Sequence, residues 1–305
     1  MREVRIPAFA KINLRLEILG KRPDGYHELR TIFQTVSLHD ELKLRRSKDS
    51  GISLHVEGNA ALSDEPVEKN LVYRAVAAAR EELKDQRGVE IELKKKIPAG
   101  RGLGGGSSDA AAALLGYLQL AGEKIVPERL MELGAALGAD VPFFLQGGRA
   151  LGIGRGDEIY PLPDIESKSV LIVSPANIHV PTPDAYRWLN AQELTKTPNN
   201  SKLWKFCASS LSVQVTGLRN DFEDAVFQHY PRLAEIKRDL LQKGATEALL
   251  AGSGSAVIGV FPSPAKARRA AVGFPHDDTF VCETISRSKY VRLMLGRTAK
   301  GARRA

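Results

Sequence analysis

The sequence predicts an α+β fold in two domains, and three observations carry that expectation. Apolar residues recur with a period of two over 11–18 and again over 29–36, the signature of half-buried strands. A helical period follows at Leu71, Ala75, Ala78, Ala79 and Leu83, and again in the alanine- and leucine-rich run after Ser108. The chain has 305 residues, long for one core and comfortable for two, and a proline-rich polar stretch at 161–167 marks a boundary.

In the first strand Ile12, Leu14, Leu16 and Ile18 face one way, while Lys11, Asn13, Arg15 and Glu17 face the other. Pro23-Asp24-Gly25 is a turn, the alternation resumes over 29–36, and further strands are expected near 41–46 and 52–57. Residues 70–84 read as a helix. Val89, Ile91 and Leu93 then alternate with Glu90, Glu92 and Lys94, which describes a half-exposed antiparallel strand. A glycine loop leads into a helix through Leu120, with Ser107, Ser108 and Asp109 as residue types that cap helix N-termini. Pro127 opens another helix ending near Gly138, and 149–162 reads as a hairpin about Gly154-Arg155-Gly156. Beyond the boundary come a strand at 170–173, a short helix at 183–190, and helices from Asn220 broken by Pro231 and Gly244. Strands at 247–250 and 256–261 flank Gly252-Ser253-Gly254, and a helix from Pro264 and a strand from Thr279 complete the pattern.

The net charge of +8 is unevenly placed: seven of the 44 Lys and Arg fall in the last nineteen residues, which hold no acid. The remainder, with 37 basic against 36 acidic residues, suits a small-molecule enzyme rather than a nucleic-acid binder, whose charge would spread over a folded face. Cys207 and Cys282 match neither a disulfide framework nor a metal-ligand spacing and are expected as free thiols. None of the six histidines forms a metal-binding motif, so no protein-ligated metal is expected. With no signal-like start and no run of about 20 apolar residues, the expected setting is cytoplasmic, away from the membrane. Neither a monomer nor a homodimer is selected.

The segment IPAGRGLGGGSSDAAAALLG at 97–116 carries the chemistry. Glycines let successive backbone N–H groups converge on one anion, and the helix behind them adds its positive N-terminal end. No Gly-Lys-Ser/Thr follows, which removes the nucleotide-triphosphatase P-loop. Gly100, Gly102 and Gly105 spell a dinucleotide fingerprint, but the alternating strand before them and Pro98 between strand and loop argue against it. The kinase elements V-A-I-K, H-R-D and D-F-G are absent.

Four more segments occur in order with this loop: PAFAKINLRLEILGKRPDGYH at 7–27, LGADVPFF at 137–144, VPTPDAY at 180–186 and LAGSGS at 250–255. Together they resemble the GHMP kinases (galactokinase, homoserine, mevalonate and phosphomevalonate kinases) over about 7–286. The match is strongest to the branch acting on a cytidine-diphosphate-linked methylerythritol. The resemblance implies a two-domain GHMP kinase fold. Its N-terminal lobe, expected at 1–163, is ribosomal-protein-S5-domain-2-like and binds ATP; its C-terminal lobe, expected at 164–290, is ferredoxin-like. From their charge, residues 291–305 are expected as a disordered basic tail. It implies transfer of the ATP γ-phosphate to the 2-hydroxyl of that small alcohol, with ATP-bound Mg2+.

Among site residues, Pro98, Ala99, Gly100, Arg101, Gly102 and Leu103 begin the phosphate cradle. Gly104, Gly105, Gly106, Ser107 and Ser108 complete it, the two hydroxyls near phosphate or its magnesium. The resemblance places the catalytic aspartate at Asp140, with Lys11 beside it to stabilise charge, and Asn13 on the same strand face as Lys11. It assigns the substrate side to Tyr26, His27, Phe33, Thr182 and Tyr186, and the border of the adenine to Asn70 and Lys95. Taken singly, Phe33 also fits a core position and Tyr26 also fits a flank of the turn. Arg101 stands where the similar kinases have a small residue, and is expected at solvent or at a phosphate edge.

Overall fold

The computed structural model describes residues 3–59, 63–189, 206 and 217–295. Its N-terminal part is a mixed sheet of seven strands built around two long ones, β1 (Glu3–Lys21) and β2 (His27–Arg46), paired antiparallel along their length. The two strands expected within 29–46 are thus one continuous strand. Next come β3 (Ile52–Glu57) and helix α1 (Leu71–Glu82), whose N-cap Asn70 accepts a hydrogen bond from the Val72 amide. Then β4 (Val89–Lys94) pairs antiparallel with β2 as expected, but parallel with β3.

Helix α2 (Gly105–Ala121) is buried on nearly every side, between the sheet and α1. Its run of small residues permits this: a Cβ at Gly116 would lie 2.8 Å from Leu44 Cδ1 on β2. Helices α3 (Pro127–Leu137) and α4 (Val141–Gln146) follow, and the expected hairpin is β5 (Arg149–Gly154) and β6 (Glu158–Pro161).

The second part contains β7 (Ser169–Pro175), α5 (Thr182–Trp188), the short β8 (Arg219–Asn220) and helices α6 (Glu223–His229) and α7 (Pro231–Gln242). Strands β9 (Glu247–Leu250) and β10 (Val257–Phe261), helix α8 (Pro264–Ala271), strand β11 (Asp277–Glu283) and helix α9 (Arg287–Met294) complete it. The four-stranded antiparallel sheet runs β11-β7-β10-β9, the strand order of a ferredoxin-like lobe. β8 crosses back to pair with β1.

The apolar face of β1 is covered along its length. Ile12 and Leu14 pack on Val170, Ile172, Leu249 and Ile258 of the second sheet, and Leu16 and Ile18 join the core under α6 and α7. The lobes therefore share apolar cores, and the polar face of β1 is left to line what lies above it. The tail expected from residue 291 is helical up to Met294, whose side chain is buried beside Tyr290 in the N-terminal core. Residues 296–305 and Cys207 lie outside the described residues, while Cys282 is buried with its thiol pushed up to about 12 by burial.

Candidate active site between the lobes

The loop before α2 forms one wall of a cleft of about 540 Å³ whose other walls come from β1, β2, α4, α5 and the turn after β9. Gly100, Gly102 and Gly104 all have positive φ (66°, 78° and 71°), which only glycine adopts freely. At Gly102 space is also limiting, because an added Cβ would lie 1.8 Å from the Ala251 carbonyl oxygen. At Gly104 it would lie 2.8 Å from Phe144 Cζ and 3.0 Å from Lys11 Cγ, so loop, α4 and β1 converge there.

The helix begins earlier than its residue types suggested. Gly104 is the N-cap of α2, and Ser107, Ser108 and Asp109 lie inside the first turns rather than capping them. The amides of Gly105, Gly106 and Ser107, having no carbonyl one turn back, are therefore left for an anion. Ser107 lines the cleft; Ser108 is fully buried, with its Oγ unpartnered.

Lys11 stands on the floor, 5% exposed, and its backbone N–H donates to the Leu103 carbonyl at 3.0 Å, fastening strand to loop. Its Nζ donates to Asn13 Oδ1 at 2.7 Å, lies 3.5 Å from Asp140 Oδ2 and sits over the Phe33 ring at 5.3 Å. The direction of the Asn13 amide is fixed from behind. Thr31 donates its hydroxyl hydrogen to the Arg15 carbonyl (2.8 Å), so it can only accept from Asn13 Nδ2 (2.7 Å), which turns Asn13 Oδ1 toward the ammonium. Asp140 occupies the N-cap position of α4 but makes no capping bond, leaving its carboxylate, about one-third exposed, to face Lys11 across the cleft.

The substrate-side residues gather at the other end. His27 and Tyr186 are stacked at 4.6 Å, and Phe222 meets Tyr186 edge-on at 4.9 Å. Burial, then nearby Asp140, pushes the Tyr186 hydroxyl up to about 12, and burial, then Lys21, lowers the His27 imidazole. Tyr26 is more than half exposed with Arg155 over its ring at 5.0 Å, and both line the cleft. Thr182 shares a 2.9 Å hydrogen bond with Ser253, so the Gly252-Ser253-Gly254 turn closes on the cleft. Asn220 holds that turn by donating to the carbonyls of Leu250 (2.9 Å) and Gly252 (2.6 Å). Phe33 is almost fully buried yet still contributes its ring to the floor.

The two residues expected at the adenine border have partners of their own. Lys95 contributes to the cleft lining, and its ammonium is buried between Asp40 Oδ2 (2.5 Å) and Asp109 Oδ2 (2.6 Å) beneath the loop. Burial alone would lower that ammonium, but Asp109 and Asp40 raise it. Asn70 caps α1 through its Oδ1, and its neighbour Leu71 lines the cleft. Arg101 is partly exposed and lines the cleft with the rest of the loop. Its guanidinium crosses to the second lobe, because Ser255 and the Ala176 carbonyl offer acceptors within reach. Thr31, Arg155 and Phe222 were missed by sequence reasoning; strand alternation gave Thr31 no mark, Arg155 read as part of a hairpin turn, and their roles come from neighbours distant in sequence.

The cleft suits a nucleoside triphosphate at its glycine end: crowded glycines, first-turn amides, the Ser107 hydroxyl and a lysine are the chemistry polyphosphate needs. Magnesium takes oxygen donors, and the Ser107 hydroxyl fits that preference. Among the described residues no cluster of three or more His, Cys, Asp or Glu is arranged to hold a metal alone. Among the described residues no helix is long and apolar enough to cross a membrane.

Comparison with known proteins gives two family matches, GHMP kinases N terminal domain at residues 70–148 and GHMP kinases C terminal at 208–275. A 4-diphosphocytidyl-2-C-methyl-D-erythritol kinase of Solibacter usitatus is 43% identical over 293 residues, covering 95% of this chain and 91% of its own. Its namesake from Citrifermentans bemidjiense is 43% identical over 271 residues, covering 89% and 94%. A crystal structure of a 4-(cytidine 5'-diphospho)-2C-methyl-D-erythritol kinase superposes with a TM-score of 0.78 at 33% identity over 92% of this chain and 99% of that one. A homoserine kinase from Cytophaga hutchinsonii, at 22% identity and a TM-score of 0.69 over 94% and 95% of the two chains, shares the fold.

Proposed function

The chain belongs to the GHMP kinases and, within them, to the 4-diphosphocytidyl-2-C-methyl-D-erythritol kinases, and from that membership we infer the reaction and the residues that perform it. It is an ATP-dependent kinase that transfers the γ-phosphate to the 2-hydroxyl of 4-diphosphocytidyl-2-C-methyl-D-erythritol, a step of non-mevalonate isoprenoid precursor synthesis. Lobes at 1–163 and 164–290 and a cytoplasmic setting complete the reading.

The Lys11–Asp140 pair, 3.5 Å apart beside the glycine loop, is the observation that carries the catalytic assignment. The acceptor hydroxyl sits beside both, within hydrogen-bond reach of each. Its oxygen bonds to the γ-phosphorus as the bond from that phosphorus to the β–γ bridging oxygen breaks, and its proton passes to the Asp140 carboxylate. Lys11, held in direction by Asn13 and Thr31, offsets the negative charge developing on the attacking oxygen and the phosphoryl group. The amides from Gly104 to Ser107 hold the β- and γ-phosphates, and Ser107 would hold the ATP-bound Mg2+, which neutralises charge on the same oxygens. Tyr186, His27 and Tyr26 receive the cytosine end, where an aromatic face stacks on the base and an imidazole nitrogen bonds its edge. Arg155 supplies a cation to that end.

The test is a coupled assay of ADP release with the cytidyl substrate, mevalonate and homoserine in parallel, in which only the cytidyl substrate should turn over efficiently. Asp140→Asn should lower kcat by about 10²–10⁴. Near-normal turnover of that variant would remove Asp140 from the mechanism.

A further inference from the structure

Arg101 is a long cation between Gly100 and Gly102, both at positive φ, in the part of the loop with the greatest intrinsic freedom. The side chain leaves the cradle and forks. Nη1 donates to Ser255 Oγ at 2.7 Å, and Nη2 donates to the Ala176 carbonyl at 3.1 Å, at the end of β7. Ser255 passes the contact on, because its hydroxyl donates to the Ile178 carbonyl at 2.6 Å. The Arg101 carbonyl also accepts from the Ala256 amide at 3.3 Å. Residues 176–181 run directly into α5, which bears Thr182 and Tyr186, and Thr182 returns to the same turn through Ser253.

We propose that Arg101 is a positioning residue, a strut that locks the phosphate loop to the segment carrying the substrate-side residues. The inference rests on the loop being the ATP loop. A chain of alternating left-handed glycines loses much freedom when it closes on a ligand; a strut fixed at both ends removes that freedom beforehand. Because the same strut holds 176–181, the seat for ATP and the seat for the alcohol move as one unit. An arginine suits the task, since its planar fork meets two acceptors at once and a lysine meets one.

The experiment measures ADP affinity by calorimetry for the wild-type chain, Arg101→Ala, Ser255→Ala and the double variant, with melts to verify folding, and steady-state kinetics on each. Arg101→Ala and Ser255→Ala should each weaken ADP binding, Arg101→Ala by about tenfold, and the double variant should be no weaker than Arg101→Ala. The KM for ATP should rise in step while kcat falls less than about threefold, and Arg101→Lys should recover part of the affinity. Affinity of Arg101→Ala equal to wild type, effects that add in the double variant, or a loss of kcat at unchanged KM would each overturn the strut. Absence of ADP binding by the wild-type chain would instead remove the nucleotide reading and the strut with it.

Discussion

Replacing Lys95 by methionine keeps most of the side-chain volume and removes an ammonium shared by two buried carboxylates. The ammonium lies 2.5 Å from Asp40 Oδ2 and 2.6 Å from Asp109 Oδ2, and the three side chains are at most 4% exposed. Removing one partner of such an arrangement typically costs about 3–5 kcal/mol, since a charge is left without compensation. Here the lower end applies. Asp40 keeps two backbone donors, the amides of Lys96 (2.5 Å) and Ile97 (2.8 Å). Asp109, whose Oδ1 already has no partner, can take up a proton, because burial holds its carboxyl well above the usual range despite Lys95 beside it. At roughly 2–4 °C per kcal/mol for a large domain, a loss of about 3 kcal/mol lowers Tm by about 6–12 °C, read by a thermal melt near neutral pH. An unchanged Tm with a raised KM for ATP would refute this reasoning and return Lys95 to the nucleotide.

The same cluster sets a pH dependence. A carboxyl raised in the folded state stabilises the fold below its unfolded value of about 3.9, and that contribution is lost as pH climbs through the folded value. Asp109→Asn, which keeps an oxygen for Lys95 and cannot ionise, should therefore gain in Tm relative to wild type as pH rises from about 4 upward. A difference that stays flat with pH would sink the assignment.

Thr31→Val should lower kcat/KM by about tenfold with its melt reduced by about 1–3 kcal/mol, because Asn13 Nδ2 loses its acceptor and Asn13 Oδ1 is no longer aimed at Lys11. Wild-type turnover in a variant whose melt is lowered would show the threonine to be structural only. Gly102→Ala should cost about 3 kcal/mol or more, since φ is +78° and the new Cβ would lie 1.8 Å from the Ala251 carbonyl oxygen. An alanine variant that melts and binds ADP like the wild type would contradict the crowding at the lobe junction.

The sequence by itself determined most of the elements and their order, because strand alternation, the alanine-rich helix and the proline and glycine punctuation are local signals, while the short helix at 141–146 and the last one at 287–294 went unmarked. It also singled out the glycine loop by its local chemistry, and Lys11 and Asp140 through the family resemblance of the segments that hold them. Tertiary structure alone decided what local chemistry leaves open. Ser107 and Ser108 are residue types that cap, yet the left-handed Gly104 starts the helix three residues earlier and frees them. Lys95 could extend to solvent or to a base, and is drawn inward by carboxylates 55 and 14 residues away. Arg101 could have met a phosphate, and instead finds Ser255, 154 residues on, because the second lobe brings its acceptors against the loop. Long polar side chains take their direction from partners distant in sequence, and only the fold brings those partners together.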